Sequence, residues 1–474
     1  MKKQITKIIR LWFLFGAAVG QYQCDWLQQN QKDQDLLAVV NGRRITRQEF
    51  IQRAEFSPPP RFRSLNGKSG KEGLLEWLII EKLLAQEAER IKLDTTLFIR
   101  EQMKLVQLNA MLRQLYRQEI QRQVTVDSSE IKAALNKLEY RFLITLFLTT
   151  QKKLAKKLRT AWVEGEHPDR LLKKIGAETR ARWLQQEVSW GDLEEPLERA
   201  LYALQPGEIS PVIRFSRGCA VFRIERSYYQ PILTATQLQQ KLSAIVKLLR
   251  FRKMDSLAAV YVADYMNRQN VVVKQKILQV LLAWLEEKQS ADQDKSIATS
   301  EDPVRETAAD RLKLRLQAHM DDPFITFRDG FFTLREILIK LQLRGVHLNR
   351  RSASPMRKQL LDHLKIIARD ELLGREARRK GLDRHPAVRR ETNMWRDYYL
   401  ARALSRKRNI RLLPGQGAET HLDIHLPDAL LQWRRQAEIY INRALLDSLS
   451  LSGIPMVAIR RGNVITLAVP PWQL

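Results

Sequence analysis

The sequence has few of the residues that hold small or loop-rich proteins together. Only two of its 474 residues are cysteine, Cys24 and Cys219, so no disulfide framework can stabilise the fold. Glycine and proline number only 19 and 17, which favours long helices over a β architecture rich in turns. The chain is also too long for one compact core, and about three domains are expected from its length.

The apolar run near the N-terminus is too short to span a bilayer. It covers residues 11–19 (LWFLFGAAV), whereas a spanning helix needs about 20 apolar residues. Positive residues precede the run and Gly20 follows it, which is the pattern of an export signal cleaved after Gly20. We therefore predict an export signal at 1–24 and a location in the periplasm or cell envelope. An alternative is a lipoprotein with its lipid on Cys24, although Gln23 stands where that signal needs a small residue.

The charge of the sequence is strongly one-sided, with a net value of +28. Such a charge attracts anionic lipid surfaces, nucleic acid and acidic polypeptides. Lysine and arginine are spread along the whole chain without a dense basic tail, which is typical of solvated helix surfaces. We therefore expect no nucleic-acid partner, and we retain an anionic membrane surface as a partner that this charge would attract.

The sequence also lacks the motifs of common hydrolases, metalloenzymes and nucleotide-binding proteins. It contains no GxSxG, no HExxH, no Walker loop and no cysteine pair at zinc spacing. His421, Asp423 and His425 alternate, so they would share one face of a strand, but a fourth zinc ligand is not evident. We predict no metal site and no cofactor.

Helical periodicity dominates what the sequence does contain. Apolar residues recur at the i, i+3 and i+4 spacing of amphipathic helices in segments 72–92, 97–123, 237–268, 275–287 and Pro427–Leu449. A β-hairpin is predicted after the last segment, at 454–460 and 463–469. Between residues 288 and 307 the apolar residues give way to Ser, Asp and Thr, which predicts a linker.

The chain repeats its own opening beyond this linker. Residues 81–94 (EKLLAQEAERIKLD) and 370–383 (DELLGREARRKGLD) match without a gap at an offset of 289. Upstream of each, the turn dipeptides at 41–42 (NG) and 329–330 (DG) are followed by the capping-box sequences TRQE and TLRE. We therefore predict the same helical module twice.

A small α+β domain is predicted at residues 136–230, between the two modules. Residues 139–149 form an apolar run typical of a buried strand, and a basic amphipathic helix follows (KKLAKKLRTAWVEG). The remaining expected elements are helices at 168–175 and 193–204 and strands near 209–214 and 218–225. This alternation is typical of a compact α+β domain.

The closing half of this domain resembles parvulin-type peptidyl-prolyl isomerases. Residues 198–225 (ERALYALQPGEISPVIRFSRGCAVFRIE) carry the helix, the Leu-x-Pro-Gly-Glu-Ile-Ser segment and the Gly-centred hairpin of that family. The flanking segments 39–50 and 74–94 resemble the helical region of the SurA, PpiD and PrsA folding factors. The resemblance covers roughly residues 36–275. It implies a mainly α fold with α+β content, in which duplicated helical SurA-like chaperone modules surround a small parvulin-like domain.

The resemblance also implies where catalytic residues would lie, and those positions are substituted. The family uses two facing histidines on adjacent strands, an acidic or cysteine residue beside them, and an apolar proline pocket. Thr145 and Ala220 stand at the histidine positions, and Glu178 stands near the acidic position. The apolar positions of the proline pocket are retained as Leu193, Leu197 and Tyr202. We therefore expect a domain that binds substrate through those three residues but has lost catalysis.

These expectations combine into a predicted envelope chaperone that binds unfolded or Pro-containing exported and outer-membrane polypeptides. Three alternatives stay open: an active parvulin-type isomerase, a structural subunit of an envelope assembly, and a basic nucleic-acid binder, against which the export signal argues. The predicted division is an export signal at 1–24, a helical chaperone module at 36–135, a parvulin-like domain at 136–230, returning helices of the first module at 231–287, a linker at 288–307, a second helical module at 308–410, and a C-terminal helix and β-hairpin at 411–474.

Overall fold

The structure is a computed structural model that describes residues 35–57, 68–166, 170, 172–173, 181–231, 234–294, 308–349, 355–410, 413–414, 424–425, 428–452, 459–460 and 466–472. The predicted export signal with Cys24, the predicted acidic position Glu178 and most of the predicted linker lie outside these residues. The chain divides into a main unit, 1–115 with 266–474, and a middle unit, 116–265. Long helices and small antiparallel sheets make up the described residues, which confirms the predicted fold class. No helix among them combines the length and apolar character that a bilayer span requires.

The main unit opens with a β-hairpin followed by helices. In chain order the elements are β1 (Leu36–Val40), β2 (Arg43–Thr46), α1 (Arg47–Phe56), α2 (Lys68–Arg90) and α3 (Leu97–Tyr116). The hairpin turns at Asn41 and Gly42, whose φ angles of 45° and 78° are both positive, as a type I′ turn requires. The Thr46 hydroxyl then accepts a hydrogen bond of 3.1 Å from the Glu49 amide, and this cap starts α1.

The middle unit is built on a four-stranded antiparallel sheet with the strand order β4-β3-β6-β5. Its elements are α4 (Ser128–Leu138), β3 (Tyr140–Thr149), α5 (Lys152–Val163), β4 (Ala181–Val188), α6 (Glu195–Leu201), β5 (Ile213–Phe215), β6 (Gly218–Tyr229) and α7 (Ala235–Asn267). Helix α5 packs Leu158 and Trp162 on one face of the sheet. Helix α6 packs Leu197 and Leu201 on the other face.

The main unit continues with a second copy of the opening hairpin and helices. The elements are β7 (Val272–Val273), α8 (Gln275–Asp294), α9 (Ala308–Gln317), β8 (Pro323–Phe327), β9 (Gly330–Thr333), α10 (Leu334–Leu343), α11 (Met356–Arg379) and α12 (Pro386–Arg408). Strands β8 and β9 and helix α10 begin and end 287 residues after β1, β2 and α1. Thr333 and Glu336 form a complete capping box, with bonds of 3.2 and 2.8 Å. The structure therefore reproduces the predicted repeat.

The C-terminal part differs from its prediction. Its elements are β10 (Leu413–Pro414), β11 (Ile424–His425), α13 (Asp428–Gln436), β12 (Ile439–Ile441), α14 (Arg443–Ser448), β13 (Ile459–Arg460) and β14 (Thr466–Leu467). The single helix predicted over Pro427–Leu449 is wrong, because β12 interrupts it and pairs with β1. The predicted C-terminal hairpin is present as the β13–β14 pair, in which Ile459 lies opposite Leu467.

The two copies of the main unit exchange their third strands. The sheet of the first copy has the order β12-β1-β2, and that of the second copy has the order β7-β8-β9. Strand β7 lies in the segment 231–287, which was predicted to return to the first module; it pairs instead with the second hairpin. Both third strands are short and rich in Val and Ile, so their composition suits either edge equally.

The C-terminal segment also completes the core of the first copy. Leu446 and Leu449, which lie in and directly after α14, are buried against Leu37 and Leu78 together with Trp472. A neighbouring cluster joins α2 to α12 through buried Ile80, Leu84, Ala88, Leu400 and Leu404. The first copy therefore takes part of its core from residues more than 300 positions later in the chain.

Two further elements differ from the prediction. Strand β4 was not predicted, because only Trp183 and Val188 of its sequence ARWLQQEV belong to the residue types enriched in strands; its pairing with β3 along eight residues outweighs that composition. Helix α8 ends at Asp294, seven residues beyond the predicted end at 287 and inside the predicted linker.

Candidate functional site

The two positions predicted for the lost histidines lie on opposite faces of the middle sheet. In the β3–β6 register, Thr145 pairs with Arg223, whereas Ala220 pairs with Leu148. Paired residues share a face and successive residues alternate between faces, so Thr145 and Ala220 point to different sides. The structure therefore does not bring these two positions together, and the residue across from Ala220 is Leu148.

The face that carries Ala220 is a closed apolar layer. Ala220 is 0% exposed and Leu197 of α6 is 3% exposed. Both belong to one buried cluster, with Leu148 and Leu193 partly buried at its margin. Aliphatic side chains neither donate nor accept hydrogen bonds and carry no titratable proton. These positions therefore offer no acid–base chemistry, and Leu197, a predicted substrate-binding residue, lies in the core.

The opposite face carries a polar cluster around Thr145 that the sequence did not indicate. The Arg223 guanidinium donates two hydrogen bonds, of 3.0 and 2.7 Å, to the carboxylate of Glu225. Burial raises the pKa of Glu225, but hydrogen bonds from Arg223 and Thr145 outweigh this effect and hold the pKa below its ordinary value. Glu225 is therefore a paired carboxylate near neutral pH, which suits a structural role better than proton transfer.

Tyr202, the third predicted substrate-binding residue, lies beside a groove of about 470 Å³ in the middle unit. Its ring stands edge-on to Phe142 with centroids 5.1 Å apart, and its hydroxyl donates a hydrogen bond of 2.8 Å to the carbonyl of Lys137. Burial raises the pKa of Tyr202 well above its ordinary value, and the nearby Glu198 carboxylate adds to the effect. The hydroxyl is therefore a neutral hydrogen-bonding group. The apolar lining of the groove consists of Ala133, Ala134, Trp190, Tyr202 and Leu249.

An ion pair between α6 and α7 fixes the wall of this groove. Arg252 donates hydrogen bonds of 2.7 and 2.9 Å to the two carboxylate oxygens of Glu198. Glu198 is only 5% exposed and also accepts a bond of 2.6 Å from the Gly191 amide. The Arg252 guanidinium lies 5.2 Å from the centre of the Trp190 ring. Charged side chains of α4, α6 and α7 line the groove together with these apolar ones, and the separation of its residues in sequence hides it from motif analysis.

Helix α7 exposes an unusual amount of apolar surface. Of its 33 residues, all of which the structure describes, Ile245 alone is buried. Phe251 and Val260 are 60% and 63% exposed, and Leu238 and Val246 are also exposed. At 100° per residue Phe251 and Val260 lie on opposite sides of α7, so the helix exposes apolar side chains on both sides, at positions where a solvated helix normally places polar ones.

The metal interpretation of the HLDIH sequence is only partly within the described residues. His421 and Asp423 lie outside them, and of His425 the structure describes the backbone of β11 alone. Across the described ranges, no three His, Cys, Asp or Glu side chains are grouped to hold a metal ion. Cys219 is a buried free thiol on β6.

The chain is similar to solved structures of folding factors, at low identity. One of two structurally related SurA-like chaperones of Campylobacter jejuni is 19% identical, over 50% of this chain and 100% of its own, with a TM-score of 0.24. The peptidylprolyl isomerase PrsA of Bacillus cereus is 18% identical, over 49% of this chain and 92% of its own, with a TM-score of 0.21. PrsA of Bacillus anthracis is 14% identical, over 40% and 96%, with a TM-score of 0.21. No family model and no curated protein matches the chain.

Proposed function

We propose that the protein is an exported chaperone that binds unfolded or Pro-containing polypeptides in the periplasm or cell envelope. Its middle unit acts as a binding domain without prolyl isomerase activity. The observation that carries the proposal is the set of apolar side chains exposed on both sides of α7, among which Phe251 and Val260 are more than half exposed. Unfolded clients expose apolar segments that such a surface can cover, and weak apolar contacts release without a cofactor.

The loss of catalysis follows from the side chains around Ala220. Rotation about an X–Pro bond has a barrier of about 18–20 kcal/mol, and lowering it requires polar groups that stabilise the twisted amide. Ala220 faces Leu148 inside an apolar cluster, so no such group is available at this pair. The groove beside Tyr202 and Trp190 would then hold a client segment without accelerating its isomerisation.

Two assays on the same preparation separate this proposal from its alternatives. An NMR exchange assay on a proline peptide should show no rate enhancement, while the protein should suppress aggregation of an unfolded outer-membrane protein. Acceleration of exchange that disappears with Thr145→Ala would support the active isomerase instead. Failure in both assays would contradict the proposal and favour the structural subunit.

The role of α7 needs a matched pair of variants. Phe251→Ser with Val260→Ser should weaken aggregation suppression several-fold, because it removes apolar area from the proposed client surface. Leu184→Ser with Leu314→Ser removes side chains that are also exposed, at 42% and 57%, but lie outside α7. An equal loss in both double variants would mean that α7 is not the client surface.

A further inference from the structure

One face of α5 is a continuous lysine surface. Lys152, Lys153, Lys156 and Lys157 are all exposed, while Leu154 and Leu158 pack on the sheet. At 3.6 residues per turn, the four lysines cover an arc of about 140° on a helix about 18 Å long. Within the part of the chain that the structure describes, none of the four has an ion-pair partner, and α5 itself contains no acidic residue.

This arrangement opposes the stability of the helix that carries it. Lysines in the first turns of a helix face the positive end of its dipole. Lys152 and Lys156, like Lys153 and Lys157, are also like charges at i, i+4 spacing, which repel each other. Gln151 at the N-cap makes no side-chain capping bond. Neighbouring α4 shows the ordinary arrangement, with Glu130 in its first turn and a complete capping box. The lysine surface is therefore not explained by the needs of the fold.

We propose that this lysine surface of α5 binds the anionic headgroups of a lipid bilayer. Four ammonium groups on one exposed helix face are complementary in charge to an anionic headgroup layer. Val163 is the last residue of α5 and lies on the same side of the helix as the four lysines. It is 57% exposed and could enter the headgroup boundary. The arc contains Thr160 but no exposed aromatic side chain, whereas surfaces for single-stranded nucleic acid commonly offer aromatic side chains for base stacking. This inference does not depend on the chaperone proposal.

A spin label at Thr160 reports on the lysine surface itself. Vesicle binding through the N-terminal residues would therefore not be mistaken for binding through α5. Thr160 is exposed and lies in the middle of the lysine arc; Ser243 on α7 is also exposed and serves as the control position. Each label is placed through Thr160→Cys or Ser243→Cys in the full chain with Cys24→Ser. Vesicles with 30% phosphatidylglycerol in phosphatidylcholine should shield the Thr160 label from an aqueous relaxation agent, and pure phosphatidylcholine should not. Equal shielding at both positions, or none at Thr160, would overturn the inference.

Charge-matched variants separate the local surface from the overall charge of the chain. Replacing the four α5 lysines with Gln should raise the lipid concentration needed for half-maximal shielding about 600-fold, since each lysine near an anionic surface contributes about a factor of five. The control replaces four exposed cations elsewhere in the middle unit with Gln: Lys132, Arg214, Arg226 and Lys247. It should retain most of the shielding. Similar losses in both would show that only net charge matters and would overturn the inference.

Two further readouts exclude other partners and misfolding. Raising the salt concentration from 0.1 to 0.5 M should release the shielding, because the interaction is between exposed charges. The four-lysine variant should unfold at the same or a higher temperature than the wild type, since it loses like-charge repulsion. If RNA or polyglutamate shields Thr160 at 0.15 M salt and vesicles do not, the lysine surface binds a polyanion instead and the lipid inference is wrong.

Discussion

Arg53 and Glu81 form an ion pair in which neither side chain is exposed to solvent. The guanidinium of Arg53 on α1 donates two hydrogen bonds of 2.9 Å, one to each carboxylate oxygen of Glu81 on α2. It also donates a bond of 3.3 Å to the carbonyl of Pro471 and lies 4.8 Å from the centre of the Trp472 ring. One buried cation therefore joins the first hairpin helix, the first long helix and the end of the chain.

Glu81→Gln should strongly destabilise the main unit. The substitution leaves the Arg53 guanidinium buried without its counter-charge, and breaking a buried pair in this way costs about 3–5 kcal/mol. Hydrogen exchange measured by mass spectrometry should show the loss as faster exchange in α1 and α2. Asp321→Asn is the control, because its ion pair with Arg335 is exposed at 78% and 54%, and it should not change exchange measurably. Unchanged exchange in Glu81→Gln would mean that the pair contributes no stability.

The Glu87 carboxylate should make the stability of the main unit fall in acid. Hydrogen bonds from Arg90, with help from Arg408, hold the pKa of Glu87 below its ordinary value of 4.5. The unfolded chain therefore binds the proton more tightly than the folded chain, so this stabilisation is present above about pH 4.5 and disappears as the pH falls through the folded pKa. The difference in urea midpoint between the wild type and Glu87→Gln should be largest at pH 6–7 and shrink towards pH 3.

Arg408→Gln provides the check on this assignment. Because Arg90 makes the larger contribution to the lowered pKa, removing Arg408 should reduce the acid-dependent difference without abolishing it. A difference that stays constant between pH 3 and pH 7 would show that the folded and unfolded chains bind this proton equally.

The repeat could be predicted because its features are local in sequence. A turn dipeptide, a capping threonine and an apolar spacing each depend on residues within a few positions of one another. The hydrogen bonds that cap the first helix differ between the copies, because they depend on tertiary contacts. In the second copy Glu336 reaches back to the Thr333 amide, whereas in the first copy the carboxylate of Glu49 accepts a bond of 2.6 Å from Lys82 instead. A local pattern cannot reveal such a competing partner.

The candidate site was predictable in composition but not in geometry. The substitutions at the expected histidine positions are readable residue by residue, yet the faces of Thr145 and Ala220 depend on the β3–β6 register. The groove beside Tyr202 depends on Arg252 meeting Glu198, which is 54 residues away in the chain. Strand register and long-range ion pairs are set by packing across elements, so neither could be derived from spacing.

Lys92 and Gly381 occupy equivalent left-handed positions, and exchanging their residue types should have opposite effects. Each lies between a long helix and a short 3₁₀ turn, with φ of 58° for Lys92 and 73° for Gly381. A side chain in this conformation costs about 1 kcal/mol, which glycine avoids. Lys92→Gly should therefore stabilise the main unit and Gly381→Lys should destabilise it, each by about 1 kcal/mol in urea unfolding. Lys92→Ala keeps the Cβ atom and should bring no gain; an equal gain would indicate that lysine's charge is the cause.

The strand exchange predicts which engineered disulfides will form. Val40 pairs with Ile439, and Val273 pairs with Ile325. The flanking hydrogen bonds, from Asn41 to Glu438 and from Lys274 to Phe324, place both pairs at non-hydrogen-bonded positions. There the Cα atoms are about 4.5 Å apart, within disulfide range. In a Cys24→Ser background, each cysteine pair should oxidise in the monomer.

A protease site inserted between residues 295 and 307 makes the two disulfides a test of whether β7 and β12 are exchanged between the copies. Both disulfides link a residue before the cut to one after it, so after cleavage each double-cysteine variant should remain one band on a non-reducing denaturing gel. The single variants Val40→Cys and Val273→Cys should give two bands. If each copy instead closed on its own third strand, β7 would lie beside β1 and β12 beside β8. Val40→Cys with Val273→Cys would then be the pair close enough to test, and the two predicted disulfides would not form.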